Sequence, residues 1–543
     1  MRKEFLWSTL LIATTLCVGS LLYHPIAWSF VVVGPLLIAG YIDFFQTTHA
    51  IRRNFPILGR FRYWLEAIRP EINQYFVESN SDGVPFSREQ RSVVYQRAKG
   101  ATDTLPFGTQ MDVYKEGYEW VEHSLVPTHI HLEEMRVKIG GPACKHPYSA
   151  SVLNISAMSY GSLSQNAVLA LNGAAKDGAF AHNTGEGGLS PYHLQNGGDL
   201  IWQIGTGYFS CRNRDGSFSP ELFAKNAQLP NVKMIEIKLS QGAKPSHGGI
   251  LPAAKVTEEI SHIRGVPMGE DVISPPAHTA FSTPLGLLEF VQKLRDLSGG
   301  KPVGIKLCLG KKREFMAICK AMLKTGITPD YIAVDGGEGG TGAAPVEFSN
   351  HMGSPGLDAL SFVHNCLLGF GLRGKIKILT SGKVTTGFGM LKRLALGADA
   401  IYCARGMLLA LGCIQALRCN TNQCPTGVAT QDPHLVAGLV VKDKRGRVAA
   451  FQKSTVVNLA LMLEAMGLKH PSELRSWHVF RRQGSHNAKN YSEIYPSVKA
   501  EDFLKGNVPA AFKNSFEGAV AESFHHKDGD WGDAAEVHYA KTA

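Results

Sequence analysis

YIAVDGGEGGTGAAP (331–345) opens with five residues of largely aromatic and β-branched character and then breaks into glycine. A short apolar run stopped by glycine suits a buried strand, and glycine directly after it lets backbone approach a ligand. The segment lacks the Lys-Ser/Thr ending of a P-loop, and no GxGxxG follows a strand to open a helix, so neither a Walker site nor a Rossmann NAD(P)H site is expected. Working outward, seven more runs share the strand character: 151–157 (SVLNISA), 179–183 (AFAHN), 201–205 (IWQIG), 234–239 (MIEIKL), 303–307 (VGIKL), 376–380 (IKILT) and 400–404 (AIYCA). Helical segments lie between them, the pattern of parallel βαβ units. Eight such strands close a ring, so the expected fold is α/β, a (β/α)8 TIM barrel.

Five strands run into polar or glycine-rich residues: Met158-Ser159-Tyr160-Gly161, Thr184-Gly185-Glu186-Gly187-Gly188, Ser240-Gln241-Gly242-Ala243-Lys244, Gly336-Gly337-Glu338 and Ser381-Gly382-Lys383. In this fold the site lies at the C-terminal strand ends, and the last two loops commonly hold a phosphate. Ser381-Gly382-Lys383 and Arg405-Gly406 occupy those places, so a phosphorylated cofactor is expected on the barrel mouth, flavin mononucleotide (FMN) being the usual one.

Ahead of the barrel, residues 5–23 hold no charge, His24-Pro25 interrupts, and residues 26–42 form a second apolar run. Each is near the ~20 residues that cross a bilayer as a helix. Arg2 and Lys3 flank the first run and Arg52 and Arg53 follow the second, so a transmembrane hairpin with both ends in the cytoplasm is expected. A cleaved signal peptide is the competing reading. The net charge of +10 fits an anionic membrane surface or acidic small molecules. No basic helix interleaved with aromatics is present, and no nucleic-acid partner is expected.

Of ten cysteines, three cluster as Cys413-x5-Cys419-x4-Cys424-Pro425. One loop carrying three thiolates suits an iron–sulfur cluster. A structural zinc site, which prefers four ligands, and unligated thiols are the alternatives. Cys403 is the nearest candidate for a fourth ligand.

The segments SAMSYGSLS (156–164), NTGEGG (183–188), IKLSQGAKP (237–245), LPAAKV (251–256), ISPPAH (273–278), DGGEGGTGAAP (335–345) and CNTNQCPTGVATQ (419–431) occur in one order. Over roughly residues 146–470 the sequence resembles the FMN-binding synthase domain of glutamate synthases. The resemblance implies that Ala157, Met158, Ser159, Lys306, Asp335, Gly336, Gly337, Ser381, Gly382, Lys383, Arg405 and Gly406 surround FMN. It implies Lys238, Gln241, Lys244 and Arg264 around 2-oxoglutarate, Glu186 and Lys244 as catalytic groups, and Cys413, Cys419 and Cys424 on a [3Fe-4S] cluster. Reduced FMN would then deliver hydride to an imine of 2-oxoglutarate, with electrons from ferredoxin or another electron-donor protein. The expected location is the inner (cytoplasmic) membrane, with the catalytic domain facing the cytoplasm.

The sequence departs from that family in three ways. It opens on the hairpin instead of a glutaminase domain, so free ammonia, another amine or ammonia from a partner is expected. His247 and Ile250 stand where the family has acidic and amide residues, and ISPPAHTAFST alters the surroundings of His278. A related FMN oxidoreductase for a different amine or oxo acid, an FMN hydroxy-acid oxidase and a catalytically silent membrane scaffold are the rival readings. The expected domains are a hairpin at 1–48, a cap or linker at 49–145 with helices near 59–77 and 88–98, the barrel with its iron–sulfur loop at 146–430, a helical extension at 431–500, and a polar tail at 501–543.

Overall fold

The computed structural model describes residues 2–245 and 248–527. His247 and the end of the tail (528–543) lie outside the described residues. The chain divides into two compact units, Met1–Arg88 and Glu89–Ala543.

The first unit begins with α1 (Arg2–Leu22) and α2 (Phe30–Phe45), joined by a 3-10 turn, His24–Ser29, with a proline in its first turn. Both spans are long and apolar enough to cross a membrane. Their side chains face outward: Trp7 is 72% and Leu21 80% exposed. The two helices meet where Phe5 packs edge-on against Tyr41 at 5.6 Å and Thr9 Oγ1 hydrogen-bonds the Tyr41 hydroxyl at 3.0 Å. The chain continues through a short helix, Ala50–Asn54, into α3 (Leu58–Ile72).

The second unit is built on eight parallel strands: β1 (Leu153–Ile155), β2 (His182–Asn183), β3 (Leu200–Ile204), β4 (Val232–Lys238), β5 (Val303–Cys308), β6 (Tyr331–Asp335), β7 (Lys377–Thr380) and β8 (Ala400–Cys403). They close into a barrel in sequence order, Ile401 of β8 pairing with Leu153 of β1. Each of the eight expected runs overlaps one of these strands, three of which start earlier or end later than expected: Leu200–Ile204, Val232–Lys238 and Val303–Cys308. Residues 148–151, beside the first, instead pair antiparallel with 136–139. Ile139 and Tyr148 of that hairpin pack with Ile201, Met234, Tyr331 and Ala400 from the starts of barrel strands, closing the end opposite the site.

Helices α4 (Gln165–Asp177), α5 (Pro220–Ala227), α6 (Pro284–Leu297), α7 (Lys312–Thr325), α8 (Gly356–Gly369), α9 (Gly387–Ala395) and α10 (Arg405–Leu411) wrap the strands. Ser164, Ser219, Thr283 and Thr386 start four of them by accepting a backbone N–H two or three residues into the helix. Such caps contribute about 1 kcal/mol each. A typical wall helix, α7, buries Phe315, Ile318, Cys319 and Met322 on one face. The long α11 (Val441–Ala465) packs outside α4, α9 and α10. Segments before and after the barrel share one antiparallel sheet, in which Glu119–Val121 pairs with Val479–Arg482.

The barrel interior is polar at one point. Glu236 is fully buried on β4 and accepts from Asn183 Nδ2 (2.8 Å), Gln203 Nε2 (2.7 Å) and the Tyr402 hydroxyl (2.8 Å). A buried carboxylate needs such partners, and these three bind it to β2, β3 and β8.

Candidate active site

β2 delivers its loop through Gly185, whose φ of 68° lies in the left-handed region; a Cβ there would stand 2.6 Å from the Ser159 nitrogen. The next residue, Glu186, points its carboxylate at the end of β4, where Oε2 lies 2.8 Å from Lys238 Nζ. The same ammonium donates to Gln241 Oε1 at 2.6 Å. Lys244 donates to the Gly248 carbonyl at 3.1 Å. Glu186, Thr206, Lys238, Gln241 and Lys244 line one narrow cleft, faced by Pro275 and Pro276.

These charges shift one another. Burial pushes the Glu186 carboxyl up, but Lys238, Lys244 and Arg264 together hold it below the usual carboxylate range. Burial lowers the Lys244 ammonium, partly offset by Glu186. A lowered ammonium pKa eases proton donation near neutral pH. Burial also brings His278 down to about 4, so this ring is neutral near pH 7. It bridges the Tyr208 hydroxyl at 3.0 Å and the Lys238 carbonyl at 2.9 Å.

Arg264, expected among the substrate ligands, does not line the cleft. It is 5% exposed, donates to the Tyr160 carbonyl at 2.9 Å, and lies over the Phe209 ring at 5.0 Å. Its neighbour Glu259 explains the placement: Oε2 accepts from the Tyr160 hydroxyl (2.5 Å) and the Tyr192 hydroxyl (3.1 Å).

The opposite side of the mouth is built of backbone. Lys306 of β5 and Asp335, the last residue of β6, pair their side chains at 3.4 Å, and Ser381 donates to Asp335. Burial disfavours the Lys306 charge, but Asp335, Glu236 and Glu186 outweigh it and raise its pKa. Gly336 and Gly337 sit where the loop after β6 meets the loop after β4; the Ala243 nitrogen donates to the Gly337 carbonyl at 3.3 Å. Gly382 (φ 116°) and Lys383 (φ 50°) make a left-handed turn after β7, gripped by Arg393 through the Gly382 carbonyl. A Cβ on Gly406 would stand 2.6 Å from Cys403 Sγ. Ala157, Met158 and Ser159 end β1 half-buried. A phosphate needs close backbone and fixed cations. The glycine turn with Lys383 and Arg405 meets that need, so these residues fit a flavin phosphate.

The cysteine loop follows α10. Gln415, Leu417 and Asn422 all take positive φ, 59°, 56° and 62°, a conformation that costs about 1–3 kcal/mol per non-glycine residue and persists where surroundings over-determine it. Among the described residues no three His, Cys, Asp or Glu side chains converge on a single ion. The three thiols are nonetheless neighbours, since Cys419 and Cys424 both act electrostatically on Cys413, and one loop of close thiolates suits a cluster. Backbone N–H groups of Thr426, Val428 and Ala429, with the Thr426 hydroxyl, outweigh burial and lower the Cys424 thiol. Burial instead lifts Cys413 to about 11, though the Gln415 nitrogen donates to its sulfur at 3.4 Å. Cys419 is exposed. Cys403, the candidate fourth ligand, is buried on β8 with its thiol directed at the Val384 carbonyl, 3.2 Å away. The loop fits an iron–sulfur cluster on three thiols.

One residue the sequence reading missed joins these parts. Lys255 is 3% exposed, and its ammonium donates to the carbonyls of Cys419 (2.8 Å), Ala429 (2.9 Å) and Ser162 (3.4 Å). It lies within the LPAAKV segment, where only its position beside an apolar run marked it. Tyr208, Glu259 and Arg393 were also missed; the first two act through partners far away in sequence, His278 and Tyr160, and Arg393 through the turn after β7.

Known proteins resemble this chain over much of its length. A family model described as the conserved region in glutamate synthase matches residues 109–469. The glutamate synthase large subunit-like protein YerD of Bacillus subtilis (strain 168) is 40% identical over 479 residues, covering 81% of this chain and 91% of that protein. The archaeal glutamate synthase [NADPH] of Methanocaldococcus jannaschii is 35% identical over 359 residues, 66% of each chain. Among solved structures, a mandelate oxidase mutant with a monooxide FMN adduct aligns with a TM-score of 0.40 and 14% identity, over 75% of this chain and 94% of its own. A family model spanning most of the barrel unit, and a relative matched over nearly its whole length, place this chain in the glutamate synthase family.

Proposed function

We propose that the protein is a membrane-tethered oxidoreductase that forms glutamate from 2-oxoglutarate and ammonia, using FMN and an iron–sulfur cluster. The observation that carries this reading is the convergence of Glu186, Lys238, Gln241 and Lys244 in one cleft beside the glycine cradle. Two ammonium groups and an amide suit the two carboxylates of the oxo acid. Held by the β1 and β5–β8 loop residues, reduced FMN would supply hydride to the imine carbon.

Lys244 protonates the hydroxyl of the ammonia adduct, so that the C–O bond breaks, water leaves and C=N forms. Glu186 takes the proton shed by the attacking nitrogen; its lowered pKa keeps it ionised for that role. Lys238 pairs with Glu186 and orients both Glu186 and Gln241. Cys413, Cys419 and Cys424 would hold a [3Fe-4S] cluster, a one-electron carrier fed by ferredoxin or another electron-donor protein. Helices α1 and α2 would span the inner membrane, with Arg2, Lys3, Arg52 and Arg53 keeping the barrel on the cytoplasmic side.

The test is anaerobic. The purified protein is reduced, 2-oxoglutarate and ammonium are added, and flavin absorbance is followed. Prompt reoxidation with glutamate formed is expected. A flavin that stays reduced removes the substrate assignment and turns attention to other amines and oxo acids, which Ile250 and the His278 segment favour. A preparation without flavin leaves the scaffold reading.

A further inference from the structure

The first unit carries an apolar surface that its own described residues leave exposed. Leu58, Phe61, Leu65 and Ile72 recur at helical spacing on one face of α3 and are 59%, 61%, 51% and 38% exposed. Trp64 flanks this stripe, and Phe76 and Val77 extend it past the helix end, at 57%, 85% and 69% exposed. Soluble monomers rarely expose a contiguous patch beyond a few hundred Å², and larger ones mark a partner or a membrane. The same segment is basic: Arg62 and Arg69 are exposed on α3, and Arg52 and Arg53 stand just before it.

The start of α3 is fixed to the end of the second span. Asp43, fully buried in the last turn of α2, accepts from Arg52 Nε (2.8 Å), Arg60 Nε (2.6 Å) and the Ile57 nitrogen (3.2 Å). Arg60 also reaches the Ala39 carbonyl at 3.2 Å. Ile57 takes a φ of 66°, which a β-branched residue adopts only where its surroundings impose it. Gly59 passes so close to the preceding short helix that a Cβ would stand 2.8 Å from Arg52 Cα. Beyond this corner α3 packs along neither α1 nor α2. A helix leaving the end of an apolar span with an uncovered apolar face and exposed arginines has the pattern of an interfacial helix.

We infer that α3 lies in the headgroup layer of an anionic bilayer, its Leu58–Phe61–Leu65–Ile72 face turned to the acyl chains and its arginines to lipid phosphate. The inference rests on the membrane hairpin of the proposed function. Anionic lipid attracts basic residues at the surface, so the preference for such lipid is part of the claim.

The full chain is placed in nanodiscs of phosphatidylcholine, with or without phosphatidylglycerol. Emission from Trp64 is read as the difference between the wild type and Trp64→Phe. Lipid brominated near the glycerol quenches that component, more strongly with phosphatidylglycerol, and amides of 58–77 exchange slowly. Phe61→Glu with Leu65→Glu abolishes both effects while the protein still resists carbonate extraction. Trp64 emission insensitive to bromine in a carbonate-resistant protein overturns the interfacial helix alone. Extraction of the wild type by carbonate overturns the hairpin and the inference with it. Protection of 58–77 that follows protein concentration instead of lipid assigns the face to a second copy and also overturns it.

Discussion

On the β2–β4 side of the barrel mouth the working groups are charged side chains; on the β6–β8 side they are stretches of backbone. Glu186 and Lys244 shift one another's ionisation, and Lys238 makes contacts to two of the cleft's other residues. Gly382, Lys383 and Gly406 depend on shape, on positive φ and on the lack of room for a Cβ. The first side is sensitive to charge and pH, the second to a single methyl group. A site divided in this way can change its substrate without disturbing its cofactor.

Four experiments bear on that division, in order of expected effect. Lys244→Ala removes a buried cation from the cleft, and kcat/KM for the oxo acid is expected to fall roughly 10²–10³-fold, about 3–4 kcal/mol. Flavin content is expected to stay unchanged; loss of flavin in this variant would show that the two sides are not independent. Glu186→Gln keeps the shape and removes the charge, with kcat expected to fall about 10–100-fold in steady-state assays. An enzyme of full activity would remove Glu186 from the proton path. Gly382→Ala acts on the other side. It strains a φ of 116° and brings a Cβ to 2.9 Å from Glu338 Oε1, so flavin affinity should drop about tenfold by fluorescence titration. With saturating FMN, KM for the oxo acid should be unaltered.

The smallest effect concerns pH. His278 titrates at about 4 in the folded protein, below the ~6.5 of a free imidazole, so the unfolded chain binds the extra proton between those values. Its contribution to stability is complete above pH 6.5 and is lost as pH falls toward 4. The melting temperature should decline over that window by a few degrees, roughly 2–4 °C per kcal/mol. His278→Gln should flatten part of the decline, and a variant with the wild-type slope would assign it to the other buried histidines, such as His193 and His364.

The barrel was legible because each strand carries its own signal, a run of β-branched residues stopped by a polar or glycine loop. Even the run 201–205, with little helix around it, became β3. The helices near 59–77 and 88–98 were legible for the same local reason. What the sequence did not disclose is contact across distance. Nothing in 136–151 announces a hairpin that closes the barrel floor, because its pairing partners look like ordinary polar strand residues. Lys244 could be read from its position after a strand, whereas Lys255 gains its meaning from carbonyls at Ser162, Cys419 and Ala429. Arg264 acts at a remove: it donates to the Tyr160 carbonyl outside the cleft lining, while its charge helps hold the Glu186 carboxyl down.

Ring closure sets a timetable for biogenesis. β1 finds its last neighbour only when Ile401 has been made, and Glu119–Val121 waits longer still, for Val479–Arg482. At ribosomal speeds of about 5–20 residues per second, the ~250 residues between β1 and β8 take roughly 12–50 s. Throughout that interval β1 offers an open strand edge, which is an invitation to pair with the wrong chain. Folding of the barrel should therefore be sensitive to chaperones that shield open strand edges while the later strands are made.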